Sequence, residues 1–519
     1  MDKKSRSDYT MLNIVSGLGG YAVNFVLGLA CRMVFTRVFT AEYLGVNGLF
    51  TNILNMLSLA ELGLANAIVY ALYKPLAEND KPKIASLVRY YGKCYRVIAV
   101  VVLVLGLAVM PFLNVIIKEK PDIDENIYLL YLISLFNTVS GYLFVYRNSL
   151  LGAAQKRYIV TAVSNIAIIG QSLIQIVLMF TTKNYIIYML IISVSTIITN
   201  IVNSEIAKKQ YPCIKDKKAP PLSQEEKKSL SRNIRALTIN RIGGLLVNST
   251  DNIITTFFEG LATTGLASNY TLFSDNINTI LTTLFASTNA SVGNHKVTMG
   301  EEENYKLFKA FNLSNFWLYG LGAVGIFIVS TDAVALVFGS QYVLSWNIPL
   351  IIAINFYMVG MQKAVWSYMN IYGIFRPGRY LILLTGAINI AASIYLGQIW
   401  GLFGILLASA ISRVLTNTWY SPYALFKHGF KKSSKGYFVK YLFYVVVLVG
   451  IGFVCYTLSS LLHFSLLINV LLKFLICCVI YNVAMVCIFC KSPEFKILLG
   501  FVERVMVRVK GLLKRNKEV

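Results

Sequence analysis

The chain has 519 residues, of which 56% are hydrophobic and 14% charged. An ordinary soluble domain carries about 25% charge, so a soluble globular enzyme, a disordered chain and a disulfide scaffold are excluded and a polytopic membrane protein is left. The formal charge of +24, from 48 Lys and Arg against 24 Asp and Glu, falls mainly between apolar runs. It is read as membrane orientation, with no nucleic-acid partner.

Residues 1–10 are short and polar. The apolar run behind them is too long for a signal-peptide core and is read as an uncleaved first span. At about 20 apolar residues per span, the sequence predicts an all-α polytopic membrane protein of about 14 transmembrane helices. They are 11–35, 44–73, 85–117, 126–152, 158–181, 184–207, 233–260, 262–292, 305–330, 344–370, 377–398, 401–427, 437–461 and 464–490. Runs this long lack the alternation of a membrane barrel. Six basic residues are assigned to spans, and the others near the inner span ends are counted with the adjoining segments. With the amino terminus inside, the inner segments hold 38 of the others and the outer segments four: Arg37, Lys118, Lys120 and Lys183. The positive-inside tendency then predicts an inner, plasma-membrane protein with both termini cytoplasmic.

The longest polar stretch, 208–232, carries Pro212, Pro220 and Pro221 and reads as a cytoplasmic linker. It separates an amino-terminal lobe, 11–207, from a carboxy-terminal lobe, 233–427, with helices 437–490 outside both. The tail 491–519 mixes apolar and basic residues, as a basic amphipathic helix on an anionic leaflet would. The two lobes share short motifs. Gly19-Gly20-Tyr21-Ala22-Val23-Asn24 matches Gly243-Gly244-Leu245-Leu246-Val247-Asn248. Glu42 with Gly48-Leu49-Phe50-Thr51-Asn52 matches Glu259 with Gly265-Leu266-Ala267-Ser268-Asn269. A duplicated six-helix unit inserts in one orientation, so the expectation is two pseudo-symmetric six-helix lobes around a central cavity, plus two peripheral helices.

Polar groups in spans are costly and mark cavities or partners. Arg32, Arg147, Arg241, Lys363, Arg413 and Lys473 are in predicted spans, as are Glu61, Asp251 and Asp275. Asn24 belongs to a stripe with Asn13, Ser16 and Gly20; Asn47, Thr51, Asn55 and Ser58 form a second; Arg241, Asn248 and Asn252 form a third. The eighth span adds Asn269, Asp275 and Asn278 among many Ser and Thr. Such faces cannot sit in lipid and are expected to line a hydrated cavity, although small and polar residues also glue helices together. An Arg there suits a phosphate or pyrophosphate, which it grips through two parallel hydrogen bonds. The acids Glu61, Asp275 and Asp251 are candidates for coupling to H+ or Na+, or for ion pairs with Arg241 or Arg413. His295, His428 and His463 are far apart, and the eight cysteines lie mostly in apolar runs. No metal site, cofactor or catalytic set is expected.

The stretch Arg37 to Phe50 (RVFTAEYLGVNGLF) with Leu59-Ala60-Glu61-Leu62-Gly63 resembles the bacterial polysaccharide transporters. These are the O-antigen-type flippases of the multidrug/oligosaccharidyl-lipid/polysaccharide exporter superfamily. Arg147 to Arg157 is similar to their junction of helices 4 and 5, and Gly401 to Ser409 to their helix 12 opening. The resemblance covers about residues 10–430. It implies a non-enzymatic flippase that moves undecaprenyl-pyrophosphate oligosaccharide units to the outer leaflet by alternating access and an ion gradient. It also implies membrane lipids, a polysaccharide polymerase and other assembly proteins as partners. The pyrophosphate role falls first on Arg241 and Arg32, then on Arg147 and Arg413. Composition leaves open a peptidoglycan or teichoic-acid precursor as cargo, whereas six basic span residues against three acidic ones disfavour a cationic-drug exporter. A membrane glycosyltransferase or polymerase is the alternative of another class, on the strength of Asp122-Ile123-Asp124.

Overall fold

The computed structural model describes residues 6–58, 64–117, 121–216, 219–228, 230, 250–298, 300–374, 378 and 380–500. Every long element among them is a helix. In chain order these are α1 (Arg6–Val38), α2 (Ala41–Leu57), α3 (Leu64–Ala77), α4 (Lys81–Val109), α5 (Ile127–Tyr142), α6 (Tyr146–Ala153), α7 (Arg157–Thr182) and α8 (Tyr185–Gln210). They continue with α9 (Thr250–Thr298), α10 (Glu301–Phe338), α11 (Asn347–Tyr372), α12 (Leu381–Leu415), α13 (Asn417–Leu425), α14 (Lys435–Ser460) and α15 (Leu466–Phe489). The helix starts carry local signals. Asp80, Asn126 and Asn184 accept from Lys83 N, Tyr128 N and Ile187 N, capping α4, α5 and α8 and satisfying donors that the first turn leaves open. Left-handed Lys183 ends α7, and left-handed Gly373 ends α11.

Among the described residues, nine helices are long and apolar enough to cross a membrane, or ten if α5 and α6, bent by 46°, are one span. The protein is therefore a multi-pass membrane protein. The fourteen expected spans differ from this for physical reasons. Segment 44–73 is divided into α2 and α3. Most of 233–260 lies outside the described residues, and 262–292 is helical but too polar to pass. The 50 residues from Leu381 to Phe430 run on as one stretch, about 75 Å at 1.5 Å per residue and far more than one bilayer core. Gly401, at φ 56° and ψ −136°, breaks that stretch, as Gly260, at φ 83° and ψ 174°, breaks α9. Both glycines stand at the junctions expected between consecutive spans.

The chain forms two compact units, Met1–Gly265 and Leu266–Val519. The division lies within α9, beyond the expected linker, because the first leg of α9 is packed on α2. A Cβ on Gly45 would lie 2.0 Å from the Leu261 carbonyl oxygen. In the amino-terminal unit α1 packs along α7, and α8 packs on α5 and α7. The linker is also packed rather than slack. Ser86 Oγ donates to Pro220 O, Arg89 Nη1 donates to Ala219 O at 2.9 Å, and Arg89 Nη2 donates to Asp216 O. Lys83 pairs with Glu226, whose carboxylate also accepts from Ser223 N at 3.0 Å. Those hydrogen bonds hold the Glu226 carboxyl below the usual carboxylate range.

In the carboxy-terminal unit α10 packs on α11 and α15. Phe316 and Tyr444 stack at 4.3 Å. The outer face of α14 shows only large apolar groups at helical spacing, Val439, Leu442, Val446, Val449 and Phe453, each more than 60% exposed. That face suits lipid and would be untenable in water. The start of the expected surface-lying tail is instead docked on the unit. Phe495 stacks on Trp317 at 5.8 Å, and Glu494 pairs with Lys440 at 2.7 Å. Burial pushes the Glu494 carboxyl up, but the Lys440 hydrogen bond and charge outweigh it and hold the group low. Residues 501–519 of the tail lie outside the described residues.

Candidate functional site

The amino-terminal unit encloses a cavity of about 240 Å³ between α2, α5 and α8. Asn47, Thr51 and Asn55 recur every four residues, so one face of α2 turns toward it. Ser134, Asn137 and Thr138 come from α5, and Tyr185, Tyr188 and Ser193 from α8; Leu54, Ile133, Met189 and Ile192 fill in. No lining residue is charged. Several hydroxyls donate to their own helix, Thr138 to Ser134 O and Ser193 to Met189 O, which leaves their lone pairs for a visitor. The Asn137 side-chain carbonyl has no partner. Tyr185 and Tyr188 are stacked nearly parallel, 5.7 Å apart at 14°, with Tyr188 the more exposed of the two.

The loop 121–126 is pinned beside the first turns of α2 and α8. Tyr43 Oη donates to Glu125 Oε2, Tyr185 N donates to Glu125 Oε1 at 3.3 Å, and Asp122 N donates to Glu42. Glu125 escaped the sequence reading. Its signal is position, an acid just ahead of the Asn126 cap. Asp122 and Asp124 thus sit in a structural turn, whose amides are taken by Glu42 and the Tyr43 hydroxyl. Among the described residues no three His, Cys, Asp or Glu are arranged to hold a metal ion.

Within each unit the predicted site residues take different roles. Asn47 and Asn55 line the cavity, and Arg32 lies within electrostatic reach of its Tyr185 and Tyr188. Asn24 instead donates to Asn165 Oδ1 at 2.8 Å, joining α1 to α7. Arg147 donates to Ser204 and lies 5.0 Å over the Tyr146 ring, so it ties α6 to α8. Asn252 packs against Gly48, and Asp251 sits beside it, half-buried. In the carboxy-terminal unit Arg413 donates to Asn355 Oδ1 at 2.5 Å, and Asn355 donates to Leu406 O at 2.9 Å. Asn278 accepts from Tyr319 at 3.2 Å, Asn269 is fully buried, and Asp275 is exposed. Arg241, Asn248 and Glu61 lie outside the described residues. Sequence reasoning missed the contribution of α5 and α8, because Ser134, Asn137, Tyr188 and Ser193 are scattered among apolar residues and make no motif.

No family model matches the chain, and no curated protein matches it. Solved structures do. One titled "Lipid II flippase MurJ, inward closed conformation" is similar over 92% of this chain and 99% of that one, with a TM-score of 0.64 and 16% identity. The chain has the fold of a polytopic transporter. An inward-facing multidrug resistance MATE family transporter of the MOP superfamily is similar over 77% of this chain and 94% of that one, with a TM-score of 0.58 and 12% identity. An outward-facing one is similar over 83% of this chain and the whole of that one, with a TM-score of 0.50 and 11% identity. At such identities the likeness carries the fold alone. It agrees with the all-helical, multi-pass build described above.

Proposed function

We propose that the protein is a flippase, not an enzyme, that carries undecaprenyl-pyrophosphate-linked oligosaccharide units to the outer leaflet for surface polysaccharide assembly. The observation that carries this reading is the fold, shared over nearly the full length with a lipid II flippase, together with an uncharged, hydroxyl- and amide-lined cavity. Asn, Ser, Thr and Tyr side chains meet sugar hydroxyls, and Arg32 beside them suits a pyrophosphate. The basic bias of the inner segments supports a plasma-membrane location with cytoplasmic termini. A second reading, a peptidoglycan-precursor flippase, is favoured by the same neighbour's title.

The test is deletion in the native host, with lipid-linked sugars extracted and surface polymer assayed. Loss of polymer with complete undecaprenyl-linked units retained inside is expected, and it identifies the cargo. Accumulated cell-wall precursor would install the second reading. Complete units already accessible outside, yet unpolymerised, would overturn the transporter and revive the enzyme.

A further inference from the structure

We infer that the cavity between α2, α5 and α8 is a subsite for one uncharged sugar ring of the transported unit, held by Asn137, Ser193 and Asn55 against the Tyr188 wall. The inference rests on the flippase reading and adds to it a place and a chemical class. Size argues first. At about 240 Å³ the space falls short of the roughly 300–1,000 Å³ of drug-sized pockets. Chemistry argues second. With no acid in its lining the site offers a cation only neutral oxygens, and with no Lys or Arg it offers a phosphate no counter-charge. What it offers is a ring of neutral donors and acceptors. Thr51 and Asn55 are exposed on α2, and Ser134, Asn137 and Ser193 add their polar side chains from α5 and α8. Arrangement argues third. Tyr188, half-buried in the lining and stacked on the buried Tyr185, offers a ring against which the C–H face of a pyranose packs while its hydroxyls reach the amides.

The experiment uses the full-length protein in liposomes. The probe is a polyprenyl pyrophosphate bearing N-acetylglucosamine with a photoreactive N-acyl group. After illumination, mass spectrometry maps the adducts, and probe movement is followed in the same vesicles. Adducts within 47–55, 133–138 and 185–193, lost in Ser193→Trp, which fills the space, are expected. Asn137→Leu, close to isosteric, serves if Ser193→Trp melts below the wild type, and about a tenfold fall in labelling is expected from the hydrogen bonds it removes. Transport of the probe with adducts elsewhere, or with pocket adducts unchanged in both variants, overturns the subsite and leaves the flippase standing. Adducts in the pocket without any movement of the probe overturn the flippase reading instead.

Discussion

The two units spend similar polar side chains on different ends. In the amino-terminal unit, neutral polar groups of α2, α5 and α8 leave a cavity open between them. In the carboxy-terminal unit they close on one another. Asn389 donates to Ser409 at 2.8 Å, Thr385 and Thr416 share a hydrogen bond at 2.8 Å, and Trp317 donates to Asn482 at 2.8 Å. Lys473 pairs with Asp332 at 2.6 Å across α15 and α10. Polar content in a span therefore does not by itself distinguish a binding surface from an internal tie. What marks the α2, α5 and α8 groups is that they line a space, whereas these pairs fill theirs.

That contrast can be broken most severely at the ion pair. Lys473→Met leaves Asp332 without its cation, and a loss of roughly 3 kcal/mol is expected, the low end for a pair this enclosed. Melting of the purified protein measures it. The double change Lys473→Met with Asp332→Leu should recover most of the loss, and failure to recover would show that the pair does more than balance charge. Next comes Asn389→Ala, which removes a buried hydrogen bond to Ser409 and should cost about 1–3 kcal/mol. By contrast, Asn55→Ala and Thr51→Val in the cavity should shift stability by only about 0.5 kcal/mol while lowering transport of the lipid-linked saccharide. A large melting shift in either would make the cavity residues ties after all.

The smallest effect concerns the linker. Glu226 is held low in the folded chain by Lys83, so its contribution is present above the ordinary carboxylate value of about 4.3. It fades as pH falls through the lower folded value. Hydrogen exchange of residues 211–226 should quicken in that acid window, and Glu226→Gln should remove the pH dependence. Exchange that is already fast at neutral pH would mean that the clasp on α4 does not persist in solution.

The helical, membrane-spanning build was legible in the sequence because apolar run length and the placement of Lys and Arg act locally. So were the breaks near Gly260 and Gly401, where a glycine stands between two spans. The α2 stripe was legible too, since Asn47, Thr51 and Asn55 keep a four-residue period. Its companions were not. Asn137 and Ser193 become a site only when α5 and α8 are brought beside α2, and sequence spacing says nothing of that. Arg147 and Arg413 read as ligand-binding charges from their cost in a span. The fold meets that cost with Ser204 and Asn355, partners that no local pattern announces. The packing of the linker was hidden for a related reason. Its prolines and charges describe a chain that could be free, whereas Ser86 and Arg89, more than a hundred residues earlier, hold it through carbonyls that carry no sequence signature.

That clasp also bears on the order in which the protein is made. Residues 216–226 leave the ribosome after α4 and before anything of the second unit. The donors on α4 are thus waiting when their acceptors arrive. The amino-terminal unit can tie off one end while the rest of the chain is still being translated, so a nascent protein halted near residue 230 already contains both halves of a finished fastening.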